Sequence, residues 1–118
     1  MNDNEAYLSF FKEEIRKFVE ARNWSKYHTP KNLIQAMSIE VAELSELFLF
    51  KEDKLKIILK DDVLLSKIEE EVADVFIYLI SFVNTLNMDL TKSFLNKMKK
   101  NKSKYPTKEF NNGVYYKK

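Results

Sequence analysis

The sequence predicts an all-α fold, a four-helix bundle, on three observations. Turn formers are scarce: the 118 residues include one glycine, Gly113, and two prolines, Pro30 and Pro106, whereas a β-rich chain needs a tight turn at most strand ends. Apolar residues recur at helical spacing, as at Leu8, Phe11, Ile15, Phe18 and Val19. Hydroxyl or carboxylate residues also stand where helices would begin, at Thr29, Asp61 or Asp62, and Asp89.

A first helix is expected over residues 5 to 21, ending near the polar and aromatic stretch "RNWSKYHTP". Thr29 followed by Pro30 pairs a capping hydroxyl with a residue suited to the first helical position, so a second helix should run from there to about residue 50. "KEDK" breaks the pattern, and residues 55 to 59 can form a small extra helix. The third helix is expected from the Asp61–Asp62 pair to about residue 86. From Val75 onward it is apolar on nearly every side, which predicts a central position or a subunit interface. Asp89 can cap a fourth helix over residues 90 to 103; "KYP" ends it, leaving 106–118 as a loose tail of a single domain, 1–118.

Composition narrows the function. At 45% hydrophobic and 32% charged the chain is globular in type. With no cysteine it can hold neither a disulfide nor a thiolate site. Its first residues, "MNDNEAYLSFFKEE", carry early acids and no apolar leader segment. The longest apolar run, residues 72 to 90, contains Asp74, Asn84, Asn87 and Asp89, too polar for a membrane span. A cytoplasmic protein without membrane partners is expected. Residues 91–118 carry a formal charge of +8 and residues 1–90 one of −6. A basic segment beside an acidic body suits an anionic or phosphorylated ligand.

Asp74 is the residue most at odds with its surroundings, because it interrupts the apolar run "EEEVADVFIYLI". A lone desolvated carboxylate would be costly by several kcal/mol or would take up a proton. Glu71 and Asp74 are three residues apart and share a helix face, and "IEVAELSEL" on the preceding helix places Glu40 and Glu43 in the same relation. If these helices pack side by side, four carboxylates converge. Their repulsion is relieved by a hard divalent cation, and oxygen-only ligands select Mg²⁺, Mn²⁺ or Ca²⁺. A di-iron carboxylate site would need Glu-x-x-His motifs, which the only histidine, His28, does not supply. Solvated helix-surface acids on a non-catalytic helical module, with the basic C-terminal helix contacting a partner or nucleic acid, are the alternative reading.

The ordered set "WSKYHTPKNLIQAMSIEVAELSELF", "EEVADVFIYL" and "KMKKNKSKYP" resembles the MazG-like all-α nucleoside triphosphate pyrophosphohydrolases, nearest the branch that includes dCTP pyrophosphatases. The resemblance implies a Mg²⁺-dependent hydrolase (Mn²⁺ as a substitute) that splits a nucleoside triphosphate into monophosphate and pyrophosphate in nucleotide house-cleaning. It implies metal and catalytic roles for Glu40, Glu43, Glu71 and Asp74. Base, sugar and phosphate contacts are implied for Trp24, His28, Asn32, Phe50, Tyr78, Lys97, Asn101, Lys104 and Tyr105. Phe50 departs from the family pattern, which has a second tryptophan there; phenylalanine still stacks on a base but lacks the indole N–H. A homodimer or a homotetramer built from dimers is also implied, with a nucleotide as partner and no nucleic acid.

Overall fold

A computed structural model describes all residues, 1–118, as an all-helical chain: α1 (Leu8–Ala21), a 3-10 turn (Ser25–Tyr27), α2 (Pro30–Glu46), the short α3 (Leu55–Ile58), α4 (Asp62–Thr85) and α5 (Leu90–Lys104). It divides into two compact units, Met1–Asn87 and Met88–Lys118.

In the first unit the capping signals act as the sequence predicts. The Thr29 hydroxyl accepts from the Asn32 amide at the start of α2, with Pro30 in the first turn, and the Asp61 carboxylate accepts from the Leu64 amide at the start of α4. Two asparagines replace glycine at helix ends. Asn23 (φ 56°) closes α1, its amide bonding Glu20 O while the Trp24 amide bonds Val19 O; Asn87 (φ 52°) closes α4. Asparagine tolerates this left-handed conformation better than other residues with a Cβ.

Two boundaries differ from expectation. Residues 5 to 7 are not helical, because Asn2 draws the preceding chain into its own turns: its carbonyl accepts the amides of Glu5 and Ala6, and its side chain that of Asn4. At the other end of the bundle α2 stops at Glu46, since the amides of Leu47, Phe48 and Leu49 bond carbonyls only three residues back and Phe50 turns to φ 58°. This tightened end reverses the chain toward α3.

α4 is the central helix, as its all-round apolarity predicts: α2 packs along it and α1 packs on it as well. Val19 of α1, Leu33 of α2, and Leu64, Ile80 and Val83 of α4 form the buried core. The Phe11 and Phe76 rings meet edge to face at 5.2 Å. Two hydrogen bonds fix the end of α4: Asn84 donates to the Lys12 carbonyl (3.0 Å) and Thr85 to the His28 carbonyl (3.3 Å). The second ties the loop before α2 to the central helix.

In the second unit Asp89 caps α5 by accepting from the Lys92 amide. The segment after α5 is not loose. Phe110 packs edge to face on Tyr105 (5.2 Å) and against Tyr116 (5.0 Å). Lys118 pairs with Glu109 at 2.6 Å, its amide donates to the Tyr105 hydroxyl at 2.9 Å, and the Tyr116 hydroxyl donates to Glu109. Aromatic contact and one ion pair thus close the segment back on the end of its own helix.

Candidate functional site

The side-by-side packing of α2 and α4 turns two ordinary-looking acid pairs into one cluster. Glu40, Glu43 and Glu71 each offer a carboxylate oxygen, and the three oxygens lie within 4.8 Å of one another. Glu40 and Glu71 are half-buried, and the Oε2 atom of each is shut off from solvent with no hydrogen-bond partner. A buried, unpaired carboxylate oxygen is strongly disfavoured.

The electrostatics follow from this crowding. Desolvation, first, and then the hydrogen bond and charge of Glu43 together with the charges of Asp74 and Glu71 push Glu40 up to about 7. Glu71 is also raised, by burial first and then by the charges of Glu43 and Asp74. Asp74, half-buried one turn beyond Glu71, therefore acts on both neighbours, although its oxygens fall outside the tight group of three. The donor set is oxygen only, anionic and partly desolvated, with two oxygens lacking any partner within the protein. These residues fit a hard divalent cation.

A groove of about 620 Å³ lies between α1, the following loop and α4, and Trp24, His28 and Tyr78 all line it. Tyr78 follows Asp74 by four residues, about 6 Å of helix rise, so α4 carries acids and groove wall on successive turns. Burial lowers the His28 pKa, so the imidazole is neutral at pH 7 and offers one donor and one acceptor. Trp24 meets Phe18 edge to face at 5.8 Å, and the Arg22 guanidinium lies 3.7 Å from the Phe18 ring centre.

Asn32 and Phe50, also implied by the resemblance, do not line this groove. Asn32 serves the loop: its side chain donates to the Tyr27 carbonyl at 3.0 Å. Phe50 is 99% exposed and does not line the groove. Lys97, Asn101, Lys104 and Tyr105 belong to the second unit, where the Asn101 carbonyl accepts from the Tyr105 amide and the Lys104 ammonium lies over the Tyr105 ring. Phe18 and Arg22 are groove residues that the sequence reading did not single out. Phe18 looks like any core position of α1, and the only signal at Arg22 was that the chain has just two arginines among its 20 basic residues.

A profile of the MazG-like family matches residues 35–117, which contain all four acids and the whole of α4 and α5. The chain belongs to the MazG-like family. Among proteins similar to this family member, dCTP pyrophosphatase 1 of Rattus norvegicus is 34% identical over 108 residues and that of Homo sapiens 35% identical over 108 residues; each match covers 80% of this chain. The chain spans 58% of the length of these curated relatives. A solved pyrophosphatase from Archaeoglobus fulgidus is similar over nearly its full length: 34% identity, TM-score 0.77, covering 90% of this chain and 98% of that one. The all-α fold of the family is thus reproduced here. No helix is long and apolar enough to cross a membrane.

Proposed function

We propose that this MazG-like chain is a Mg²⁺-dependent nucleoside triphosphate pyrophosphohydrolase. Its substrate is a deoxynucleoside triphosphate such as dCTP or a modified nucleotide, cleaved between the α and β phosphates to give the monophosphate and pyrophosphate. One observation carries the reading: three convergent carboxylates, two with buried unpartnered oxygens, lie on α2 and α4, and α4 one turn beyond Asp74 lines an aromatic groove. The names of the similar proteins point to the same chemistry.

Glu40, Glu43, Glu71 and Asp74 would hold the ion, with Mn²⁺ as a substitute. When bound, a divalent cation supplies Lewis acidity and neutralises polyphosphate charge. The chain's own residues do the positioning on which phosphoryl transfer chiefly depends. Glu40 or Glu43 accepts the proton of the attacking water. Trp24 stacks on the base, Tyr78 borders the sugar, and neutral His28 hydrogen-bonds without adding charge. The resemblance assigns phosphate and sugar contacts to Lys97, Asn101, Lys104 and Tyr105.

The working form is a homodimer or a homotetramer of two dimers, in the cytoplasm. Ile39 and Val41 on α2 and Val63 and Val72 on α4 are all about half or more exposed, and so is Phe50; apolar surface of this kind is what a second copy covers. Incubating the protein with Mg²⁺ and a panel of canonical and modified dNTPs should release pyrophosphate and the monophosphate. Release of inorganic phosphate instead, or no turnover of any nucleotide, would overturn the reading.

A further inference from the structure

The two arginines of the chain have opposite surroundings. Arg16 is clamped between Glu13 (2.5 Å) and Glu20 (2.8 Å), a pairing within α1 that engages all three of its nitrogens. Arg22 has no carboxylate partner. Its guanidinium carbon lies over Phe18, 3.7 Å from the ring centre, and 6.0 Å from the ring centre of Trp24, and one nitrogen donates to the Phe18 carbonyl at 3.0 Å. All three residues line the groove that also holds His28 and Tyr78. A guanidinium carries five N–H donors in a rigid plane and no acceptor. One hydrogen bond and the stacking fix that plane, and the remaining donors stay free at the groove wall.

From this geometry we propose that Arg22 determines base specificity, reading the hydrogen-bonding edge of the nucleobase that enters the groove. The inference rests on the nucleotide reading given above and deepens it. A donor-only fork suits an edge with two adjacent acceptors. Cytosine presents O2 beside an unprotonated N3. Thymine and uracil carry an N–H at that N3, so the fork would face a donor and leave both groups unsatisfied. The Trp24 ring plane accepts any base; Arg22 separates cytosine from thymine. Lysine would keep the charge and lose the planar fork.

The test compares wild type, Arg22→Lys and Arg22→Gln for kcat/KM with dCTP, dTTP and dUTP, alongside melting temperature. Wild type should favour dCTP, and both variants should lower the dCTP-to-dTTP ratio by about tenfold or more, the range of one good bidentate contact. The loss should fall on dCTP and largely spare dTTP. A role confined to capping α1 would lower the melting temperature and reduce all three substrates by one common factor, and that result overturns the proposal. An unchanged ratio in an active Arg22→Lys protein overturns it equally. Wild type that turns over no nucleotide is a separate outcome: it sinks the pyrophosphohydrolase reading and takes this inference with it.

Discussion

The clustered acids of α2 and α4 and the acid of the C-terminal segment experience opposite fields. In Met1–Asn87 the acids of α2 and α4 crowd one another, and Glu40 and Glu71 hold protons more tightly than ordinary glutamates because burial and like charge penalise the ionised form. In Met88–Lys118 the one tail acid, Glu109, is shifted the other way by its hydrogen bonds to Lys118 and Tyr116. Glu109 completes a structure; the α2–α4 acids are left incomplete by theirs. An acid whose charge the fold stabilises is scaffolding, whereas acids whose charge the fold opposes, with oxygens aimed at one another, mark a place built for something the chain does not itself contain.

The sharpest way to break this comparison is to neutralise one crowded acid. Glu43→Gln should lower pyrophosphate release by at least the ~100-fold that loss of an outer-shell metal partner can cause. It should also raise the melting temperature of the metal-free protein, because it removes a charge that burdens Glu40 and Glu71. A variant that loses both stability and activity would instead make Glu43 a scaffolding residue.

Next in size is the response to metal and pH. Glu40 titrates near 7 in the fold, against 4.5 for an ordinary glutamate, so the folded state binds the proton more tightly than the unfolded one. The stability this contributes is present in full below about 4.5 and is lost as pH rises through about 7. Metal-free protein should therefore melt lower at pH 8 than at pH 5. Mg²⁺ at a hundred times its dissociation constant should add about 2.7 kcal/mol at pH 8. Thermal melts at the two pH values, with and without Mg²⁺, check both signs.

Acids that the fold satisfies should respond in the opposite direction. Asp61→Ala removes the cap of α4 and should destabilise the protein by ~1 kcal/mol in chemical denaturation, while the same class of change at Glu43 stabilises it. The smallest effect belongs to the C-terminal segment. Phe110→Ala removes two ring contacts of roughly 0.5–1.5 kcal/mol each, so hydrogen exchange should quicken at the Lys118 amide and leave the α4 core unchanged.

Much of this architecture is legible residue by residue. Thr29, Asp61 and Asp89 cap the helices whose starts they mark in the sequence because capping is a local bond between a side chain and an amide three residues on. The acid pairs are legible for the same reason, since helical spacing alone puts Glu40 with Glu43 and Glu71 with Asp74 on common faces. What spacing does not show is how far each acid reaches across to the other helix, and so the tight group is Glu40, Glu43 and Glu71, with Asp74 set apart. The turn ending at Phe50 is illegible because "LFLF" reads as more of the same apolar face, and only its backbone bonds reveal the helix end. The closed tail escapes notice because Tyr105, Phe110 and Tyr116 follow no helical or strand period. Arg22 was hidden by its ordinary position at the end of α1; its meaning comes from the ring beneath it.

The central claim is that α2 and α4 form a cation site from their shared acids. Calorimetric titration of Mn²⁺ or Mg²⁺ near pH 7, repeated in buffers of different ionisation enthalpy, tests it most directly. Wild type should bind the ion and release protons as Glu40 ionises, and Glu43→Gln and Asp74→Asn should bind much more weakly. Wild type that takes up no divalent ion, or binds it no better than either variant and without proton release, would contradict the account.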